Sequence, residues 1–256
     1  MLLCPVRDCR LALRRAGQGL VCPQGHSFDI ARSGYINLLQ PQDRKSKHPG
    51  DTAAAVSARR RSHDRGVTGP LLRAIGDMIA ANPSDVVLDA GCGEGFYLGT
   101  LARETRFDAH GVDISVPAIQ AASRRYRECE WIVANADRFV PYADGTFSIV
   151  LSITGRMNAP EFRRVLRDGG RLLVALPGPE DLIELRGTGR DRVPRTVETF
   201  VPGFTLVDRR HCVTTADLDA AAVQDVLLSI YRPMRAASPK AIRVTFSLDL
   251  LLFRAA

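Results

Sequence analysis

Residues 86–97 run VVLDAGCGEGFY: a buried-strand pentad, then Gly91, Gly93 and Gly95 at alternate positions, then the opening of an apolar helical run. Glycines placed between a strand and a helix let the backbone turn sharply and approach a ligand closely, because no Cβ stands in the way. A strand that feeds a helix through such a loop points to an α/β architecture, in which the flanking segments alternate. LLRAIGDMIAAN (71–82) has apolar residues spaced by three and four, the period of a helix. Helices are likewise expected over 96–105, 116–126 and 159–169, and strands over 86–91, 109–114, 129–135, 147–153 and 170–177. This rhythm predicts a mostly parallel sheet with helices on both faces. The apolar runs 204–214 and 242–255 suit an antiparallel pair that closes the sheet, whereas 178–203 and 215–240 show no clear period.

The first 70 residues are of another kind. They hold twelve Arg and Lys against five Asp, so the chain's whole net charge of +7 sits at one end, and the remaining residues balance. The chain's preference for Arg over Lys does not explain that placement. A basic end joined to a neutral body suggests that one part meets a polyanion and the other does chemistry on it. With 256 residues, 45% of them hydrophobic, the chain supports one ordinary core and a small appendage. It has no run of about 18 uncharged apolar residues, so no membrane span is expected. Arg7, Asp8 and Arg10 interrupt the N-terminus and no apolar stretch follows, so a secretory leader is not expected and a cytoplasmic location is.

Within the basic end, Cys4-x4-Cys9 and Cys22-x3-His26 form two knuckles about a dozen residues apart. Thiolate and imidazole are the preferred ligands of tetrahedral zinc, and two such knuckles supply four of them. Residues 1–37 are turn-rich, with too few apolar residues for a core, so they need a staple to fold. Neither pair is Cys-x-x-Cys, which argues against a redox role. With all four ligands Cys4, Cys9, Cys22 and His26 used, the site is structural. The expected division is a zinc-binding ribbon over 1–37, a basic linker and helix over 38–67 with Asp51 or Thr52 as N-cap, and the α/β domain over 68–256.

Asp113, about 20 residues beyond the glycine loop, ends the following strand, where an acid accepts hydrogen bonds from ribose hydroxyls. Ala134-Asn135-Ala136-Asp137 ends the third strand, where the edge of an adenine would be gripped. A nucleotide cofactor is therefore expected. A nicotinamide dinucleotide is the alternative, but G-x-G-x-G is not the dinucleotide spacing G-x-G-x-x-G.

LDAGCGEG, GVDIS and DGTFSIV together resemble the class I S-adenosylmethionine-dependent methyltransferases. That resemblance implies a Rossmann-like, mostly parallel seven-stranded sheet. It places Asp89 and Gly91, with Gly93 and Gly95, at the methionine end. Asp113 and Ile114 then fall at the ribose, and Asn135, Ala136 and Asp137 at the adenine.

CPQGHSFDIARSGYINLL and PGD-x6-ARR, followed by these motifs, resemble the bacterial 23S ribosomal RNA (guanine-N1)-methyltransferases over most of residues 1–190. The resemblance implies a structural zinc ion on the same four ligands. It also implies methylation of a guanine in a 23S rRNA hairpin loop, a homodimer with a basic cleft and, in one branch, macrolide resistance. The chain departs from the family at ITGRMNAPE (153–161), where Gly155-Arg156 replaces an expected Ala-Pro, and at SIYRPMRAA (229–237), where a Met-Thr-Pro stretch is expected.

Methyl transfer from a sulfonium is an in-line displacement in which the protein mainly aligns the acceptor. Arg156 and Asn158 are the catalytic candidates, Arg156 as a partner for guanine O6. Tyr35, Phe96 and Tyr97 are candidates to stack an extruded base. Arg44, Lys45, Lys47, Arg59, Arg60 and Arg61 are the candidate phosphate contacts. A small-molecule methyltransferase and a non-catalytic zinc- and RNA-binding relative are the rival readings. The basic end argues against the first, and the intact Asp89, Gly91, Gly93 and Asp113 argue against the second.

Overall fold

The computed structural model describes residues 1–44, 46, 49–230 and 239–256. Lys45 and Lys47, and positions 231–237 of the SIYRPMRAA stretch, lie outside the described residues.

Three short antiparallel strands, β1 (Arg14–Ala16), β2 (Gly19–Val21) and β3 (Ser27–Asp29), build the N-terminal ribbon. A two-residue strand, β4 (Ile36–Asn37), leaves it. Helix α1 (Ala53–Asp64) starts where Thr52 Oγ1 accepts the amide of Ala55, and α2 (Gly69–Ile79) follows. The alternation then runs β5 (Val86–Ala90), α3 (Phe96–Thr105), β6 (Asp108–Asp113), α4 (Val116–Arg125), β7 (Glu130–Val133), β8 (Phe147–Ile153), α5 (Ala159–Val165) and β9 (Leu166–Pro177). The aperiodic stretches contain α6 (Ile183–Arg186), α7 (Val193–Phe200) and α8 (Ala220–Ser229). The long strands β10 (Phe204–Leu218) and β11 (Ile242–Ala255) are the expected antiparallel closing pair. Helix α5 stops four residues earlier than its period suggested. Leu166 already pairs with Phe147, and a register shift follows before Arg171.

The main sheet has the order β10-β11-β9-β8-β5-β6-β7-β4, with β4 to β9 parallel wherever they neighbour. It has eight strands rather than the expected seven. The extra one is β4, whose Ile36 and Asn37 register against Ile132 and Val133. Side chains alternate between two cores, Val87, Ile149 and Leu173 on one face and Leu88, Val150 and Leu172 on the other.

That second face explains the ribbon's position. Parallel strands β7 and β8 are joined by residues 134–146, which contain no helix, although a parallel crossover usually carries one. The ribbon fills the gap. Cys4, Leu13, Leu20 and Cys22 share a core with Ile132, Val140 and Tyr142. Leu3 N donates to Pro141 O at 2.9 Å, Ala143 N to Met1 O at 3.0 Å, and Arg10 lies over the Phe139 ring at 4.6 Å. The N-terminal segment therefore packs onto its own chain's α/β body.

Candidate functional site

The knuckles bring four ligand atoms, from Cys4, Cys9, Cys22 and His26, within 4.8 Å of one another. Cys9 Sγ and Cys22 Sγ are 3.7 Å apart, and His26 Nδ1 lies 3.5 Å from Cys4 Sγ and 3.3 Å from Cys22 Sγ. Ligands at zinc bond lengths with tetrahedral angles stand about 3.8 Å apart for two sulfurs and about 3.6 Å for sulfur and nitrogen. The cluster fits that geometry. Cys9 N donates to Val6 O at 3.1 Å and Cys22 N donates to His26 O at 3.0 Å, closing the two turns. Burial pushes the Cys4 thiol up to about 12, so a thiolate at that position calls for a cation beside it.

At the other site, the C-terminal ends of β5, β6, β7 and β8 lie side by side, the place where open α/β sheets bind ligands. Asp89, on β5, is 2% exposed, and its Oδ1 has no hydrogen-bond partner among the described residues. Burial, then the charges of Asp113 and Glu94, push its carboxyl up to about 8. An orphaned buried carboxylate oxygen suits a cationic ligand group. Gly91 turns with φ +90°, and an added Cβ there would face Gly155 Cα at 3.6 Å, so the glycine loop and the turn after β8 approach closely. Asp113 is engaged on both oxygens. Oδ2 accepts from Gly93 N at 2.9 Å and Oδ1 from Ser115 N at 2.8 Å. Each oxygen keeps a further lone pair for a ribose hydroxyl. The linker closes over this edge, since a Cβ on Gly50 would press on Ser115 and Ile114, and Ser115 Oγ donates to Asp51 O at 2.7 Å. The residues present fit an S-adenosyl group.

Asn135 is placed differently from expectation. Its Nδ2 donates to Asp43 O at 3.0 Å and its Oδ1 accepts from Asp137 N at 3.1 Å. Its side chain is committed to shaping the loop. Asn158 is likewise engaged with the loop. Its Nδ2 donates to Ala136 O at 2.9 Å and Asp137 O at 3.0 Å, which ties the turn after β8 to the loop after β7. Arg156 stands at the rim with its side chain 67% exposed, 3.3 Å from Asp137 Oδ2. Thr154 holds φ +51°, a strained value for a β-branched residue, in the turn that departs from the family pattern.

The arginine run is divided, with Arg60 and Arg61 half exposed and Arg59 largely covered. Arg59 points inward, paired with Asp51 at 2.6 Å and Glu94 at 3.4 Å. Arg61 meets the buried Asp225 of α8 at 2.5 Å, and Arg65 joins it at 2.7 Å. Arg60 is half exposed, 3.6 Å from Asp64, and Arg44 is exposed. A linear sequence shows three adjacent cations but not the carboxylates, up to 164 residues away, that receive them. Phe96 and Tyr97 are not open stacking platforms either. Phe96 stacks on His63 with centroids 3.9 Å apart, Tyr97 meets both edge-on, and Tyr35 packs against the core. His63 and Glu94 were missed by the sequence reading. PGD-x6-ARR, with Asp51 just before α1 and Arg59 within it, was the available signal for this cluster.

Comparison with known proteins agrees with both sites. Residues 2–47 match the family model described as RlmA, N-terminal, and residues 87–174 match a methyltransferase domain. A Streptomyces fradiae protein named 23S rRNA (guanine(748)-N(1))-methyltransferase is 35% identical over 238 residues, covering 88% of this chain and 83% of that one. A Micromonospora griseorubida relative, bearing the 23S rRNA (guanine-N1) name in provisional form, is 36% identical over 206 residues, 72% of this chain and 68% of that one. Among solved structures, a TehB-like SAM-dependent methyltransferase from Corynebacterium glutamicum superposes with a TM-score of 0.51 at 18% identity, covering 80% of this chain and 99% of that one, which shows the shared fold. With its zinc-ligand ribbon, its glycine-loop site and a relative of this identity along most of both chains, the protein belongs to the 23S ribosomal RNA (guanine-N1)-methyltransferase family.

Proposed function

We propose that this chain transfers a methyl group from S-adenosylmethionine to N1 of a guanine in a hairpin loop of 23S ribosomal RNA. The observation that carries this is the orphaned, buried Oδ1 of Asp89 beside the glycine loop, at the open end of a sheet that has a cationic zinc ribbon fixed alongside.

When bound, the donor supplies an activated sulfonium methyl, so alignment is the protein's main contribution. Asp89 would hold the donor's ammonium, Asp113 with Ile114 the ribose, and Asp137 with Ala136 the adenine. Arg156, exposed at the rim, would hold guanine O6 and offset the charge that develops on the base as N1 takes the methyl and releases its proton to solvent. The guanine must leave its stack to reach the site, at a cost of a few kcal/mol. Arg44 and Arg60, with Lys45 and Lys47, contact phosphate. The zinc ion, on Cys4, Cys9, Cys22 and His26, is structural, and the domain division is 1–37, 38–67 and 68–256. A homodimer with a basic cleft, a cytoplasmic location set by the ribosomal substrate, and protection against macrolides complete the proposal.

The test is transfer of tritiated methyl groups to 23S rRNA that lacks the modification, followed by primer extension, which stops at N1-methylguanine. One methyl per rRNA at a single hairpin guanine is expected. Donor binding without transfer to rRNA, or a methyl on another atom, would overturn the assignment.

A further inference from the structure

Helix α1 precedes the methyltransferase alternation, yet two of its side chains end on the cofactor loop. Glu94, the acid within Gly-Cys-Gly-Glu-Gly, is 4% exposed. Its Oε2 lies 3.4 Å from Arg59 Nη1 and its Oε1 3.3 Å from His63 Nε2. Positions 59 and 63 are one helical turn apart and so share a face. A Cβ on Gly93 would stand 3.3 Å from Arg59 Nη1, so the guanidinium rests against the loop backbone as well as its acid.

Arg59 is itself held from two further directions. Its Nη2 lies 2.6 Å from Asp51 Oδ2, in the linker, and donates to Ser229 O at 2.7 Å, at the end of α8. His63 is braced through Nδ1, 2.7 Å from Thr68 Oγ1, and by its stacking on Phe96. Burial alone would raise the Glu94 carboxyl, but the His63 hydrogen bond and the Arg59 charge hold it below the usual carboxylate range. Burial likewise opposes the charge on Arg59, which Glu94, Asp51 and Asp113 sustain. Asp51, Glu94 and Asp113 thus gather round one guanidinium, and an unscreened set of this kind would push the loop apart.

We propose that Arg59 is a positioning residue for methyl-donor binding, holding the 91–95 loop in its binding geometry through Glu94 rather than contacting RNA phosphate. The inference rests on the assignment of that loop to S-adenosylmethionine.

The test is calorimetric titration of S-adenosylmethionine into the full-length protein, as wild type, Arg59→Met, Glu94→Gln and the double variant. Arg59→Met should weaken donor binding about tenfold. The double variant should bind no more weakly than Arg59→Met alone, because the charge that Arg59 serves is gone. Additive losses would overturn the proposal. Arg59→Met should also leave the salt dependence of binding to a 23S rRNA fragment unchanged. A slope reduced by about one, with wild-type donor affinity, would assign Arg59 to phosphate instead. Should Arg59→Met not fold, Arg59→Lys carries the same cycle, with a severalfold loss and the same non-additivity. Wild-type protein that ignores the donor would sink the cofactor assignment itself, and this inference with it.

Discussion

Gly95 lies directly against the indole of Trp131, so that a Cβ at position 95 would overlap the ring. Gly95 also holds φ +77° as the N-cap of α3, while Trp131 is 2% exposed and anchored by Nε1 to Tyr126 O at 2.8 Å. The indole leaves no room for a side chain at this position.

Gly95→Ala should therefore cost about 2 kcal/mol or more, from overlap together with left-handed strain. In a chain of this size that is a fall of roughly 4–8 °C in melting temperature. Thermal denaturation with and without the donor checks it. A variant melting with the wild type would show that the loop has slack the structure does not reveal.

Metal removal should destabilise the whole chain, because the ribbon covers a sheet face that has no crossover helix. A fall of roughly 10 °C is expected on chelation or in Cys22→Ala, smaller than the free energy of zinc-dependent folding in an isolated finger would suggest. Metal analysis should find one zinc per chain in the wild type. Metal-free protein with an unchanged melting curve would contradict the coupling.

Asp89 predicts an opposition between stability and binding. Its carboxyl, raised to about 8 by burial and by Asp113 and Glu94, binds its proton more tightly folded than unfolded. The resulting stabilisation is complete below the unfolded value of about 3.9 and is lost as pH rises through about 8. Donor-free Asp89→Asn should lose less stability than the wild type over that interval, while binding S-adenosylmethionine at least about tenfold more weakly. Parallel curves of melting temperature against pH for the two proteins would refute this.

Arg44→Glu combined with Arg60→Glu should weaken binding to 23S rRNA fragments and flatten its salt dependence, by about two in slope if each side chain meets one phosphate. Donor affinity should stay at the wild-type level. Filter binding across a salt series provides the measurement. An equal loss of donor affinity would show that the two tasks are not divided as proposed.

The strand and helix alternation, the four metal ligands and the glycine loop were legible because each is a short-range signal. Cys4 and Cys9, or Cys22 and His26, lie within one turn of chain, and VVLDAGCGEG is a strand, a turn and a helix start in succession. Asp113 was legible through its fixed distance from that loop. Asn135 and Asn158 were in the right neighbourhood, but a side chain's hydrogen-bond partner is not written in its own segment.

What the sequence determined alone was therefore local: turn chemistry, helix and strand periods, and donor sets that match a metal or a nucleotide. Tertiary structure decided the rest. It sent Arg59 to Glu94 and Arg61 to Asp225, added Ile36–Asn37 to the sheet as an eighth strand, and laid the ribbon where a crossover helix would lie. These outcomes depend on burial, which forces a charge or an apolar face to find a partner, and that partner is set by the path of the whole chain rather than by neighbours in sequence.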